Sequence, residues 1–248
     1  MDRIMRLKLI IAYDGRPFLG WQSQANGNTV QDHLETAFAR ICGRRIVVHG
    51  SGRTDAGVHA FAQCAHVEVE HPRFTPGDWI PAINAHLPRE IRVLKCSRAK
   101  SGFHARFSAK GKIYTYRIWN QPVHSPFEMG RAWHLPGPLD VQQLKLTAAQ
   151  LIGTHDFASF AANRGKPVED TVRTIRRIDV SHRGSLITLR FEGDGFLYKM
   201  VRLMTGTMIR CAQHRDEPGW IDDLLARKTK TCFAAPAEGL YLTRVLYS

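Results

Sequence analysis

Cysteine is scarce in this 248-residue chain, and no two cysteines lie close together in the sequence. The five that occur are Cys42, Cys64, Cys96, Cys211 and Cys232. Because their number is odd and no C-x-x-C pair is present, neither a disulfide framework nor a zinc site is expected. Unpaired cysteines are typical of reducing compartments, so we expect a cytoplasmic protein.

Long apolar runs are also missing. No stretch approaches the ~20 consecutive apolar residues of a membrane helix, and residues 1–6 contain no signal-peptide hydrophobic run. The sequence therefore predicts a protein with no membrane partner. Since 44% of the residues are hydrophobic, the chain can still bury the core of one large domain or of two smaller ones.

Acidic residues are too few to balance the basic ones. The chain has 35 lysines and arginines against 22 aspartates and glutamates, a net charge of +13, which favours nucleic acid as a partner. The densest basic stretch has no acid and interleaves four aromatic residues. It comprises Arg98, Lys100, Phe103, Arg106, Phe107, Lys110, Lys112, Tyr114, Tyr116 and Arg117. Such a stretch can bind phosphates and stack on bases, or form a strand with a solvated basic face and a buried aromatic face.

Hydrophobic periodicity predicts the element order β-α-β-β-α-β in the first half, and roughly the same order, with one additional helix, in the second. This order is the ferredoxin-like split unit. In the first half, the predicted elements are strand 7–13, a helix from Thr29 to Gly43, strands 46–48 and 61–70, helix 79–86 and strand 91–96. In the second half, they are strand 113–119, a helix capped by Asp140, strands 174–182 and 186–192, helices 196–211 and 220–227, and strand 240–247. We therefore predict an α+β fold of two ferredoxin-like halves, residues 1–102 and 103–248. They would form one extended mixed or antiparallel sheet, with helices on one side and a central basic cleft.

The run of residues 50–60 places one carboxylate, Asp55, in a turn rich in glycine, with Arg53 two residues before it and His59 four after. Small residues let another molecule approach the backbone closely. A carboxylate there can be a nucleophile, a general base or a metal ligand, or it can simply cap its own turn. No spacing of metal-ligating residues stands out, so no metal is expected.

Two residues in the second half extend this candidate site. Arg202 lies in the predicted helix 196–211, whose apolar residues cover most of its circumference. A buried guanidinium needs a carboxylate or several acceptors, and Asp55 is a natural partner, unless Arg202 reaches solvent along its aliphatic stem. Tyr114 lies on a strand beside basic residues, where it could stack on a base or serve only as a packing residue.

The segment 52–60 resembles the signature of the TruA family of tRNA pseudouridine synthases. Further segments match in order and extend the resemblance over nearly the whole chain: 13–15, 18–22, 29–31, 103–106, 112–116, 153–157, 196–202 and 238–242. One departure follows Phe160, where residues 161–166 differ from the family pattern.

The resemblance implies a function and a set of roles. It implies isomerisation of uridine to pseudouridine at positions 38, 39 and 40 of the tRNA anticodon stem-loop, with base flipping, no cofactor and a homodimer. It implies that Asp55 is the catalytic nucleophile and that Arg202 pairs with it. Arg53 would displace the target base, and Tyr114 would stack on the flipped uracil. Arg106 and Lys112, from the matching central segment and the basic stretch, are expected to bind tRNA.

Two other functions remain open from the residues alone. A non-catalytic RNA-binding module would suit the basic charge and the aromatic residues, but it gives no reason for an acid in the glycine-rich turn. A nucleotide hydrolase with an aspartate nucleophile would need a metal site.

Overall fold

The computed structural model describes residues 4–25, 27–70, 74–162, 165, 169–217 and 219–247. The fold is α+β, as predicted. The chain divides into two compact units, Met1–Lys110 with Leu242–Ser248, and Gly111–Tyr241. The domain boundary at residue 102 and the central cleft stay predictions. Residues 163, 164 and 166 of the departure from the family pattern lie outside the described residues.

The described residues of the first unit form four strands and two helices of its own. They are β1 (Met5–Tyr13), α1 (Val30–Cys42), β2 (His49–Gly50), β3 (His59–Val69), α2 (Pro76–Asn84) and β4 (Ile91–Arg98). Strand β1 lies between β3 and β4 and is antiparallel to both. Every second residue of β1 is buried, which is the pattern of a strand with one face on a core.

Helix α1 begins and ends where its capping residues require. The Thr29 hydroxyl accepts from the backbone N–H of Asp32, whose side chain accepts in return from the Thr29 backbone, and Gly43 ends the helix in the left-handed conformation. The predicted strand at 46–48 is wrong. Ile46 and Val48 are buried, but the Val48 N–H donates to the Glu35 carboxylate, and only His49–Gly50 pairs with β3.

The second unit has a sheet in the order β5, β9, β8, β7, in which neighbouring strands are antiparallel. Its elements are β5 (Gly111–Trp119), β6 (Trp133–His134), α3 (Val141–Gln150), β7 (Gly153–Asp156), β8 (Val172–Arg183), β9 (Leu186–Gly193), α4 (Met200–Ala212) and α5 (Trp220–Leu225), with short 3-10 helices at Ala158–Phe160 and Ala237–Gly239. Strand β10 (Leu240–Leu246) begins in this unit, and its residues from Leu242 onward belong to the first.

The helix predicted from residue 196 begins later, at Met200. Lys199 has a φ of 59°, so the chain enters α4 through a left-handed residue, and the Leu197 N–H donates to the Met200 Sδ instead of to a helical carbonyl. Arg202 consequently lies in the first turn of α4 rather than in the middle of the helix. Asp140 caps α3 as predicted, accepting from the Gln143 N–H at 2.9 Å.

Candidate active site

Asp55 opens a β-turn that needs glycine. Its carbonyl accepts the N–H of Val58 at 3.1 Å, and the third turn residue, Gly57, has a φ of 78°. This positive φ at the third position is the mark of a type II turn, where glycine is preferred. The Asp55 side chain is half-buried. The turn therefore fixes the backbone of Asp55 and leaves its side chain partly accessible.

The residues before Asp55 are held on two sides. The Thr54 hydroxyl lies 2.8 Å from the Tyr13 hydroxyl at the end of β1, and the Thr54 carbonyl accepts from the Trp21 N–H at 3.0 Å. The Gln63 side chain on β3 donates to the Gly52 carbonyl at 2.9 Å. Burial raises the pKa of Tyr13 well above its ordinary value, so its hydroxyl stays protonated. The segment leading to Asp55 is thus bonded to both β1 and β3.

The loop between β1 and α1 packs against this turn through two glycines. A Cβ on Gly15 would lie 2.1 Å from the Val58 carbonyl oxygen, and a Cβ on Gly20 would lie 2.6 Å from that of Thr54. Gly20 also has a φ of 97°. Only glycine allows the two segments to approach this closely.

Arg53 is the exposed end of a chain of polar side chains that runs back to α1. Its Nε donates to the Gln22 Oε1 at 3.1 Å, and the Gln22 Nε2 donates to the Gln31 Oε1 at 2.8 Å. The Gln31 Nε2 in turn donates to a carboxylate oxygen of Glu35 at 2.8 Å, and Arg45 lies 3.2 Å from the other oxygen. Because a carboxylate oxygen of Glu35 accepts from Gln31, the NH2 groups of both glutamines must point toward Glu35 and their oxygens toward Arg53. We call Gln22, Gln31 and Glu35 the relay.

In the second unit, Tyr114 lies on β5 with Tyr116, and the charge of Arg202 acts on Tyr116. Tyr114 is 8% exposed, and its ring and that of Phe196 form a T-shaped pair with a centroid distance of 5.1 Å. Burial raises the pKa of Tyr116, and the nearby charge of Arg202 opposes this rise. Since Tyr114 and Tyr116 are two residues apart on β5, they share one face of the strand.

Arg202 is half-buried and makes a bond that the sequence does not reveal. Its Nε donates to the Ala235 carbonyl at 2.7 Å, while its own carbonyl accepts the Ala235 N–H at 3.0 Å. The expected pairing with Asp55 stays a prediction.

The other predicted tRNA-binding residues lie in different places. Arg106 is exposed in the first unit, with its guanidinium carbon 5.8 Å from the centroid of Phe107. Lys112 is half-buried on β5, opposite Gly193 of β9. The first unit therefore brings Arg53 and Asp55 together on one loop, and the second holds Lys112, Tyr114 and Arg202.

Sequence reasoning missed the relay and the Tyr13–Thr54 bond. A signal for the relay was present, since Gln31 and Glu35 are polar residues four apart on α1, but only the structure shows that both are buried. His59 and His66 each use Nδ1 to accept a backbone N–H, that of Gly15 and that of Ala105 respectively.

In the described part of the chain, no group of three or more His, Cys, Asp or Glu residues is arranged to hold a metal ion. None of the helices in that part is long and apolar enough to cross a membrane.

Known proteins similar to this chain agree in name. A family model described as tRNA pseudouridine synthase matches residues 9–108 and 147–248. Enzymes named tRNA pseudouridine synthase A are 45% identical in Akkermansia muciniphila (98% of this chain, 95% of the relative), 41% in Bacillus licheniformis (98% and 99%) and 42% in Geobacillus kaustophilus (98% and 94%). A crystal structure of a Cbf5-Nop10-Gar1 complex matches with a TM-score of 0.40 and 11% identity, over 95% of this chain and 48% of that one, a likeness too low to carry an argument.

Proposed function

Because the chain belongs to the tRNA pseudouridine synthase family and is thus an isomerase, we propose that it acts at positions 38, 39 and 40 of the tRNA anticodon stem-loop. We propose Asp55 as the nucleophile and flipping of the target base out of the stem. The observation that carries the proposal is the Asp55 turn. A partly accessible carboxylate on a backbone fixed by β1, β3 and glycine contacts is what covalent catalysis requires.

The chemistry needs only one substrate. The N1–C1′ bond of uridine breaks, the uracil rotates, and a C5–C1′ bond forms while the hydrogen at C5 leaves to solvent and N1 takes up a proton. Asp55 adds either to C6 of the ring or to C1′ of the ribose, and it is released when the product forms. Extruding the base costs a few kcal/mol, which phosphate contacts with a protein of net charge +13 can offset.

The other residues take supporting roles in this proposal. Arg53 fills the space that the target base leaves, and the relay positions the Arg53 side chain through the hydrogen bond from its Nε to Gln22. Tyr114 stacks on the flipped uracil. Arg202 pairs with Asp55, while Arg106 and Lys112 bind the tRNA backbone.

We also propose a homodimer without a cofactor, acting in the cytoplasm. The dimer is proposed from the resemblance of the sequence to the family. The cytoplasm is proposed from the tRNA substrate and the unpaired cysteines.

The proposal is tested by release of tritium from tRNA labelled at C5 of uridine, with the wild type and Asp55→Ala. We expect release by the wild type and none by the variant, because forming the C5–C1′ bond displaces the label. Full activity of Asp55→Ala would overturn the nucleophile assignment. Arg202→Met should also be inactive yet folded, and normal turnover would exclude the ion pair. If the wild type binds tRNA and releases no tritium, the RNA-binding module is the better account.

A further inference from the structure

Phe107 is an exposed aromatic side chain on a fixed backbone. Its side chain is 78% exposed. The Nδ1 of His104 accepts the N–H groups of Arg106 at 3.1 Å and of Phe107 at 3.3 Å, and the Ser108 N–H donates to the His104 carbonyl at 2.9 Å. Leaving such a ring in water forgoes the favourable free energy of burying it. A ring presented this way points to a ligand that covers it.

The Phe107 ring packs against the first of three histidine rings that contact one another in series. The His104 ring lies 4.3 Å from that of Phe107 at an angle of 30°, His66 lies 4.6 Å from His104, and His49 stacks on His66 at 4.9 Å. The His66 Nδ1 accepts the Ala105 N–H, and burial, with the neighbouring histidines, lowers the pKa of His66 to about 4. His66 is therefore neutral near pH 7, and the Phe107 ring rests on an ordered, largely aromatic base.

The surroundings of Phe107 are basic. Residues 95–110 include five lysines and arginines and no acid, and all five are exposed. One of them, Arg106, has its guanidinium beside the Phe107 ring. Arg6, which donates to the Phe103 carbonyl nearby, is paired with Glu68. An exposed ring with cations around it and no acid in its own segment suits a nucleobase with its phosphates.

The four aromatic residues of the basic stretch thus separate into two groups. Tyr114 and Tyr116 are buried, and Phe103 is half-buried, with its ring 5.0 Å from that of Tyr247. Phe107 alone among these four presents most of its ring to solvent.

We propose that Phe107 is a stacking platform for an unpaired nucleobase of tRNA other than the target uridine. The inference rests on the proposed function, which supplies tRNA as the ligand. The Asp55 turn enters β3 at His59, and His66, beneath the platform, lies seven residues further along that strand, about 23 Å away. A base on Phe107 therefore adds binding energy away from the reaction, and it favours tRNA over a short RNA that lacks that base.

The test compares Phe107→Ala, Phe107→Trp and Arg106→Ala for tRNA binding over a range of salt concentrations. Loss of a base–aromatic stack should weaken the Kd of Phe107→Ala about tenfold, with an unchanged salt slope, because no cation is removed. Phe107→Trp should bind like the wild type, whereas Arg106→Ala should lower the salt slope by about one contact. In turnover assays, the weaker binding of Phe107→Ala should raise the KM for tRNA.

A matched control is Phe127→Ala, since Phe127 is 83% exposed in the second unit and has no part in the platform. Wild-type affinity of Phe107→Ala would overturn the proposal. Dissociation of the dimer in Phe107→Ala, seen as a monomer mass, would also overturn it, because the Phe107 ring would then contact a second copy of the chain instead of tRNA. The binding experiment does not depend on turnover. A wild type that forms no pseudouridine would therefore overturn the proposed function, while the affinities of the variants would still test the platform.

Discussion

Gly20 controls the Asp55 turn from a neighbouring loop. It combines a φ of 97° with a position where a Cβ would come within 2.6 Å of the Thr54 carbonyl oxygen. Gly27 offers a matched comparison, because its φ is also positive, at 65°, yet a Cβ there meets nothing within 4 Å. Both glycines therefore relieve backbone strain, and only Gly20 also makes room for the turn.

We predict that Gly20→Ala impairs activity more than Gly27→Ala. Both variants should lose about 1 kcal/mol of unfolding free energy from positive φ, but only Gly20→Ala must push the Thr54 carbonyl, and Asp55 with it. A misplacement of about 1 Å can lower kcat about a hundredfold. Single-turnover tritium release gives the rates, and urea unfolding gives the stabilities. Equal losses of rate in the two variants would contradict a positional role for Gly20.

At the scale of elements, the relay connects the buried face of α1 to an exposed arginine. Gln31 and Glu35 are 8% and 7% exposed. The carboxylate of Glu35 also accepts the Val48 N–H at 3.2 Å, so one acid holds both a helix side chain and the segment before β2. The direction of every amide in the relay follows from that acid, which makes Gln31 a positioning residue for Arg53.

We predict that Gln31→Leu lowers kcat about tenfold while tRNA affinity stays within about twofold, because Arg53 loses its support and the phosphate contacts remain. The unfolding free energy should fall by about 1–3 kcal/mol, since Glu35 loses a buried donor. Adding Gln31→Leu to Arg53→Ala should cost no further kcat if Gln31 acts through Arg53. Additive losses would instead indicate a general structural role.

The control for the relay is Arg45→Ala. The Arg45 side chain is 76% exposed and pairs with Glu35, at the end of the relay opposite Arg53. Its removal should therefore leave kcat near that of the wild type.

Helices α1 and α4 and the segment between α1 and β2 show which parts of the fold can be predicted from sequence. The two ends of α1 were predicted correctly, because Thr29 and Gly43 each act within the terminal turn that they cap. Residues 46–48 were misread as a strand, because an apolar run indicates burial and does not reveal that Val48 bonds a side chain of α1. The start of α4 was predicted too early for a related reason, since apolar periodicity continues through Lys199 although its φ is positive.

The candidate site was predictable to a similar extent. The turn at Asp55 was predicted from a short motif, because a glycine-rich turn around an acid depends on consecutive residues. The roles of Asp55 and Arg53 stay predictions. The Tyr13–Thr54 bond and the Ala235 carbonyl that accepts from Arg202 join residues 41 and 33 positions apart. Such contacts depend on how strands and loops come together, so no local pattern indicates them.

At the scale of the whole molecule, the excess of positive charge belongs to both units. Exposed Arg53 and Arg106 lie in the first, and Lys112 and Arg202 lie in the second. A substrate as large as tRNA can also reach beyond one chain, and the proposed homodimer would let each tRNA contact both protomers. In a symmetric dimer, the residues that react and the residues that bind one tRNA can then belong to different copies.

This arrangement predicts complementation between a variant that lacks the nucleophile and a variant whose tRNA binding is weakened. One carries Asp55→Ala, and the other carries Arg106→Ala with Phe107→Ala. If these contacts act across the dimer, a mixed dimer has one intact site, formed by the Asp55 of one copy and the binding surface of the other. Random exchange of protomers makes half of the dimers mixed, each with one working site of two, so about a quarter of wild-type activity should return. Tritium release is measured at subsaturating tRNA, after the proteins are unfolded and refolded together, with each variant refolded alone as the control. No recovery, with mixed dimers demonstrated by a size tag on one variant, would show that Asp55 and the Phe107 platform serve a tRNA from the same protomer.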